Sequence, residues 1–157
     1  MVTVRERTPA DDPALARLFE EMQAHYQRPC PPVESVLRDL AALPPGVTIL
    51  VAEVDTVVGF AVFSPIYPGP RLSSGLFLKE LFVSSRFRRG GVGTALMRAV
   101  AAFAVRHGHK RVDWTADRCK PELHAYYQAL GALKQEDKVF FRLIDDALDT
   151  LANSERR

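Results

Sequence analysis

Apolar and polar residues change period several times along this chain, and each change marks an element. "VTVRERT" at residues 2–8 alternates and predicts a first strand. In "TPADDPALARLFEEMQAHYQ", Leu15, Leu18, Phe19 and Met22 recur at helical spacing behind a Pro/Asp start, which predicts a helix. "RPCPP" breaks it, and "VESVLRDLAAL" predicts a second, shorter helix stopped by "PPG". "VTILVAEV" and "VVGFAVFSPIY" are strand-like runs separated by Asp55 and Thr56, the pattern of a hairpin. After the loop "YPGPRLSSG", "LFLKELFV" predicts a strand and "GVGTALMRAVAAFAVRHG" a long helix. Val92, Leu96, Val100 and Phe103 make one apolar stripe on that helix, and Gly108 supplies its stop.

Further on, "KRVDWTA" predicts a strand and "PELHAYYQAL" a helix opened by Pro121. "GALKQEDKVFFRLI" predicts one or two final strands, and "DDALDTLANSERR" a short helix that frays at its end. No internal repeat, linker or second core is visible. The order, roughly βααβββαβαβ(β), implies a single domain over residues 1–157 built on one mixed α/β sheet.

Composition adds limits. The 157 residues are 47% hydrophobic and 25% charged, ordinary for one soluble globular domain that needs no disulfide. Cys30 and Cys119 show no metal or redox spacing, which suits a reducing cytoplasm and predicts no metal site. No apolar run approaches the roughly 18 residues of a membrane span, and "MVTVRERTPADD" lacks the apolar core of a secretory signal. A net charge of +2 gives no case for a nucleic-acid partner. The charge is instead local: Arg86, Arg88, Arg89, Arg98, Arg106, Lys110 and Arg111 follow one another with no acidic residue among them. Such a cluster suits an anionic ligand.

Three of those arginines crowd a glycine-rich junction, "RFRRGGVGTAL", between a predicted strand and a predicted helix. A helix N-terminus has unpaired backbone N–H groups and a partial positive charge, so it attracts anions. Gly90, Gly91 and Gly93 let the backbone come close to a ligand, Arg88 and Arg89 add charge, and Thr94 offers a hydroxyl in the first turn. A phosphate is the expected occupant. The Walker A pattern does not fit, because no lysine follows these glycines. A dinucleotide fingerprint fits by half: Gly91 and Gly93 match, with Asp113 about where a ribose-binding acid is sought, but Leu96 stands in the third glycine's place.

The stretch resembles motif A of the GNAT superfamily of N-acetyltransferases, Arg/Gln-x-x-Gly-x-Gly/Ala, with Arg88, Gly91 and Gly93 at its fixed positions. The preceding "LFV" and following "TALM" fit the same strand-loop-helix setting. About thirty residues on, "KPELHAYYQALGA" resembles the family's Asn-x-x-Ala-x-x-Phe-Tyr-x-x-Leu-Gly-Ala block through Tyr126, Tyr127, Leu130, Gly131 and Ala132. Lys120 stands where asparagine is usual and Leu123 where alanine is usual. The resemblance is strongest from Gly75 to Ala132, and "LKELFVSSRFRRGGVG" looks most like the diamine acetyltransferase branch.

The resemblance implies a GNAT fold, an α/β (α+β) architecture with a mixed, mostly antiparallel sheet of six to seven strands flanked by about four helices. It implies acetyl-CoA as cosubstrate and no metal. The backbone of Arg88, Arg89, Gly90, Gly91, Val92, Gly93 and Thr94 would hold the pyrophosphate, and the strand edge at Leu81, Phe82 and Val83 would pair with the pantetheine arm. Tyr127 would be the general acid that protonates the departing thiolate, with Tyr126 mainly structural.

An amine protonated at pH 7 must lose that proton before it attacks. Glu80 is the only carboxylate in "LFLKELFV", where simple alternation sets Leu76, Leu78, Glu80 and Phe82 on one face. The branch's usual glutamate base aligns with Lys79 instead, so Glu80 serves through water, orients the substrate ammonium or anchors the sheet. Tyr26, Glu20, Glu21 and Glu34 lie in the helix-loop-helix region that lines the acceptor groove in the family, where acids suit a cationic amine. The four histidines are expected at the surface and Trp114 in the core. These readings predict acetyl transfer from acetyl-CoA to a primary amine by direct attack, in the cytoplasm, with a small or lysine-like acceptor and a homodimer as the family's common assembly. The alternative is an acyl-CoA-binding or sensing domain with little catalysis.

Overall fold

A computed structural model describes residues 1–154; residues 155–157, the end of the expected fraying tail, lie outside the described residues. The backbone divides into two compact units, Met1–Thr115 and Ala116–Arg157. The first holds β1 (Thr3–Glu6), α1 (Asp12–His25), α2 (Val33–Ala41), β2 (Thr48–Val54), β3 (Thr56–Ile66), β4 (Gly75–Val83), α3 (Val92–Arg106) and β5 (Val112–Asp113). The second holds α4 (Pro121–Ala129) and α5 (Asp145–Ala152).

The strands run in the order β1-β2-β3-β4-β5, antiparallel up to β4 and parallel between β4 and β5. The sheet is mixed and mostly antiparallel, as expected, but it has five strands among the described residues rather than six or seven. The segment 133–144 forms no strand, and Val139, Phe140 and Phe141 stay exposed. β-forming side chains express a local preference, whereas a strand needs a partner for its main chain. Among the described residues there are five α-helices where the resemblance implied about four, and the fifth, Asp145–Ala152, is the short tail helix that the pattern predicts. β5 is two residues long where "KRVDWTA" suggested seven.

Two cores flank the sheet of the first unit. On one face α3 sets Val92, Leu96, Val100 and Ala104 against Leu50, Ala61, Phe63, Leu76 and Leu78. Phe103 and Trp114 are partly buried beside them. On the other face α1 and α2 set Leu15, Leu18, Val36 and Leu40 against Ile49, Val51, Phe60 and Phe82. Arg7 ties these two helices together, donating to Asp12 at 2.6 Å and to the Leu40 carbonyl at 2.7 Å.

β4 departs from simple alternation. β3 pairs Phe63 with Leu78 and Val62 with Glu80, so Lys79 is an extra, unpaired residue, a β-bulge. The bulge moves Leu81 and Val83 to the α3 face beside Leu76 and Leu78, while Phe82 packs on the α1 and α2 face. The expected grouping of Leu76, Leu78, Glu80 and Phe82 on one face is therefore corrected. Glu80 lies opposite Val62, which borders the α1 and α2 core.

Where β3 meets the end of β4, the backbones come close. A Cβ on Gly59 would lie 2.9 Å from the Phe82 carbonyl oxygen, with Leu96 and Val83 side chains at 3.4 Å. That oxygen belongs to the ladder and cannot swing away. Gly59→Ala is expected to cost about 1–3 kcal/mol, the range for overpacking, read as a lower denaturant midpoint at unchanged slope.

Candidate active site

β4 pairs with β5 only through Leu76 with Val112 and Phe77 with Asp113. Beyond Phe77, no strand pairs with that edge of β4 among the described residues. The Ser84 amide donates to the Val58 carbonyl at 2.9 Å, which fixes the phase of the β3–β4 ladder. Alternation within an antiparallel ladder then turns the N–H and C=O groups of Leu81 and Val83 to the open edge. One of them is used: Arg88 Nε donates to the Val83 carbonyl at 2.9 Å, and its guanidinium carbon lies 5.4 Å from the centre of the Phe82 ring. Arg88 thus braces the turn against the strand it leaves.

The turn itself runs from a 3-10 segment, Ser85–Phe87, into α3. Arg89 and Gly91 both take the left-handed conformation, φ +64° and +80°, and Gly91 is the N-cap of α3. Val92, Gly93 and Thr94 form the first helical turn, whose amides have no carbonyl four residues earlier within the helix. Arg86, Arg88, Arg89, Gly90 and Gly91 are exposed. A Cβ built on Gly91 would meet nothing within 4 Å, so this glycine is required for its dihedral and leaves open space above it. Residues 88–94, expected from the sequence to hold a pyrophosphate, lie together at this turn in the first unit.

Glu80 does not stand by itself. The Tyr26 hydroxyl donates to Glu80 Oε1 at 3.0 Å, from the C-terminal end of α1. His25 lies beside Tyr26 and Phe82, at ring separations of 5.2 and 6.3 Å. Glu21 is committed elsewhere: its carboxylate accepts from the Ser85 amide at 2.9 Å and the Ser84 hydroxyl at 3.3 Å. Burial pushes this carboxyl up, but those hydrogen bonds and the charge of Arg88 outweigh it and hold it below the usual carboxylate range. Glu20 and Glu34 are exposed on their helices.

In the second unit, Tyr126 and Tyr127 are half-buried neighbours on α4, with ring centres 5.3 Å apart. The "LGA" that follows is a helix stop. Gly131 takes φ +99°, its amide donates to Gln128 O at 2.9 Å, and the Ala132 amide donates to Tyr127 O at 3.1 Å. These bonds make a Schellman closure, which explains glycine at that place. Lys120 is the N-cap of α4 and makes no side-chain cap. His124 binds the Asp117 carbonyl at 2.7 Å, and among the described residues no cluster of metal-ligating side chains occurs.

Residues 13–132 match the acetyltransferase (GNAT) family. The chain belongs to the GNAT family. Among GNAT relatives, it is 33% identical over 95 residues to L-ornithine N5-acetyltransferase NATA1 of Arabidopsis thaliana, covering 60% of this chain and 42% of that one. The chain therefore spans less than half of that enzyme's length. It is 28% identical over 144 residues to the aminoglycoside N(6')-acetyltransferase type 1 of Stenotrophomonas maltophilia, covering 90% and 92% of the two chains. The solved integron cassette protein VCH_CASS6 from the mobile metagenome of V. cholerae is similar in fold at a TM-score of 0.87, with 30% identity over 98% of both chains. The aminoglycoside N-acetyltransferase AAC(6')-Iy, solved in complex with CoA, matches at 0.74 with 21% identity over 90% and 94% of the chains.

The glycines and arginines mark the turn in the sequence, but nothing there marks the Arg88 brace, the Glu21 contact or the Tyr26–Glu80 pair. The last two join residues 64 and 54 positions apart, and no local signal marks them. The turn makes its own prediction. Gly91→Ala is expected to lower stability by about 1–2 kcal/mol, the cost of left-handed backbone for an L-residue. Gly90→Ala places its Cβ at an ordinary 3.5 Å from Phe87 O and should shift stability by less than about 0.5 kcal/mol. Chemical denaturation of the two variants side by side reads the difference.

Proposed function

We propose that this chain transfers the acetyl group of acetyl-CoA to a primary amine of a small acceptor. The observation that carries the reading is the open main-chain edge of β4 at Leu81 and Val83, which runs directly into the glycine turn. An extended amide-bearing arm suits that edge through main-chain hydrogen bonds, and a pyrophosphate suits the amides from Arg88 to Thr94. The CoA complex of the structural neighbour AAC(6')-Iy supports the same donor.

In this mechanism the neutral amine nitrogen attacks the thioester carbonyl carbon and the C–S bond breaks. The Tyr127 phenol gives its proton to the leaving sulfur, an assignment that rests on the "YYQALGA" match. The amine's protons leave through Glu80, directly or by way of water, with Tyr26 holding the carboxylate in place. The products are an amide and free CoA, with no covalent enzyme intermediate. The Tyr127 phenolate regains a proton from solvent and Glu80 releases its own there, for a net release of one proton per ammonium acetylated.

The Glu80–Tyr26 pair presents an anionic group suited to an ammonium. The names of the relatives favour either an ornithine-like amino acid or diamine, or an aminoglycoside amine. The family match over residues 13–132 crosses the boundary at Thr115, which supports reading that stretch as part of one domain. Two free thiols, Cys30 and Cys119, fit a cytoplasmic setting, and a homodimer is proposed on the resemblance. Among the described residues no helix is long and apolar enough to cross a membrane.

A thiol-release assay with acetyl-CoA and a panel of diamines, amino acids, aminoglycosides and peptides tests the reading. Turnover on a small amine is the expected result. Binding of acetyl-CoA without turnover on any amine supports an acyl-CoA sensor instead, and absence of binding rejects both. Tyr127→Phe is expected to cut kcat by about a hundredfold or more while leaving CoA affinity within about twofold, by calorimetry.

A further inference from the structure

Glu21 has a position that neither acceptor recognition nor proton transfer uses. It sits on α1 three residues beyond Leu18, which is buried against the sheet, so its side chain leaves the helix beside the β4–α3 connection. The chain quits the sheet at Ser84, whose amide makes the 2.9 Å bond to the Val58 carbonyl. The next amide, Ser85, opens the 3-10 segment and therefore has no partner within it. Glu21 Oε1 accepts from this amide at 2.9 Å and from the Ser84 hydroxyl at 3.3 Å. A charge-assisted bond from outside thus caps the turn at its first residue.

Arg88 braces the other end of the same 3-10 segment by its bond to Val83 O. Between the braced residues Ser85 and Arg88 lie only Arg86 and Phe87, and beyond them come the left-handed Arg89 and Gly91. A turn with glycines and left-handed residues has many alternative conformations and loses that freedom when it binds an anion. Fixing it beforehand lowers the cost of binding.

We propose that Glu21 is a positioning residue: through Ser84 and Ser85 it holds the β4–α3 turn in the conformation that receives the donor's pyrophosphate. This rests on the reading that the turn binds acetyl-CoA. It assigns Glu21 to donor affinity and removes it from the acids that would recognise the amine.

Calorimetry with CoA and steady-state kinetics on wild type, Glu21→Ala, Glu21→Gln and Ser84→Ala test it. Wild-type binding is measured first, because a wild type that fails to bind CoA overturns the function proposed above and not the role of Glu21 within it. With binding established, Glu21→Ala is expected to raise the CoA Kd about tenfold and leave the amine KM within twofold. Glu21→Gln retains an oxygen that can accept from the Ser85 amide and should recover most of that loss. Ser84→Ala, which removes the longer contact alone, should raise the Kd about two- to threefold. Should Glu21→Ala not fold, the Gln and Ser84 variants carry the same reading. An unchanged CoA Kd across the folded variants overturns the proposal, as does a rise confined to the amine KM.

Discussion

The parting of β4 from β5 after Phe77 is the constraint on which the site depends. Main-chain N–H and C=O groups removed from water need partners, and a strand in mid-sheet normally finds them on both sides. Here β4 is served by β3 along its length and by β5 over two residues only. The outward groups of Leu81 and Val83 are left to something other than a strand. Arg88 takes one of them, and the rest make a ready-made edge for a ligand that carries amides. The amide-bearing arm of the donor proposed above is such a ligand, and on that proposal the gap in the sheet answers the chemistry of the donor.

Around that edge, the residues divide their labour by element. β4 supplies the edge and Glu80, the turn and the start of α3 supply charge and the helix N-terminus, and α1 supplies side chains that reach across to both. Tyr26 meets Glu80 and Glu21 meets Ser84 and Ser85, less than two helical turns apart on the same helix. The acids expected to gather around a cationic substrate are therefore not equivalent. Glu80 on β4 is met by Tyr26 from α1, Glu21 is spent on the backbone and hydroxyl of the β4–α3 turn, and Glu20 and Glu34 face water.

Much of this was legible in the sequence because the signals are local. The α3 stripe, the β2–β3 hairpin, the glycine turn and the "LGA" stop are written in residues within a few positions of one another. What escaped was non-local. Val139, Phe140 and Phe141 carry strand preference, yet no pairing forms there, since pairing is decided by an edge elsewhere in the chain. β5 shrank to two residues for the same reason. The bulge at Lys79 has no glycine or proline to announce it, and the partners of Glu21 lie more than sixty positions away.

Lys79 carries one further implication. The ladder already joins Phe63 to Leu78 and Val62 to Glu80, so the strand's inward and outward assignments are those of a chain without residue 79. Counting along the sequence therefore misjudges every side chain past that point by one, while counting along the partner strand does not. Any residue-by-residue carry-over between this protein and a kin lacking the extra residue has to be made across β3. On that footing Glu80, rather than the lysine before it, stands as the direct successor of Leu78.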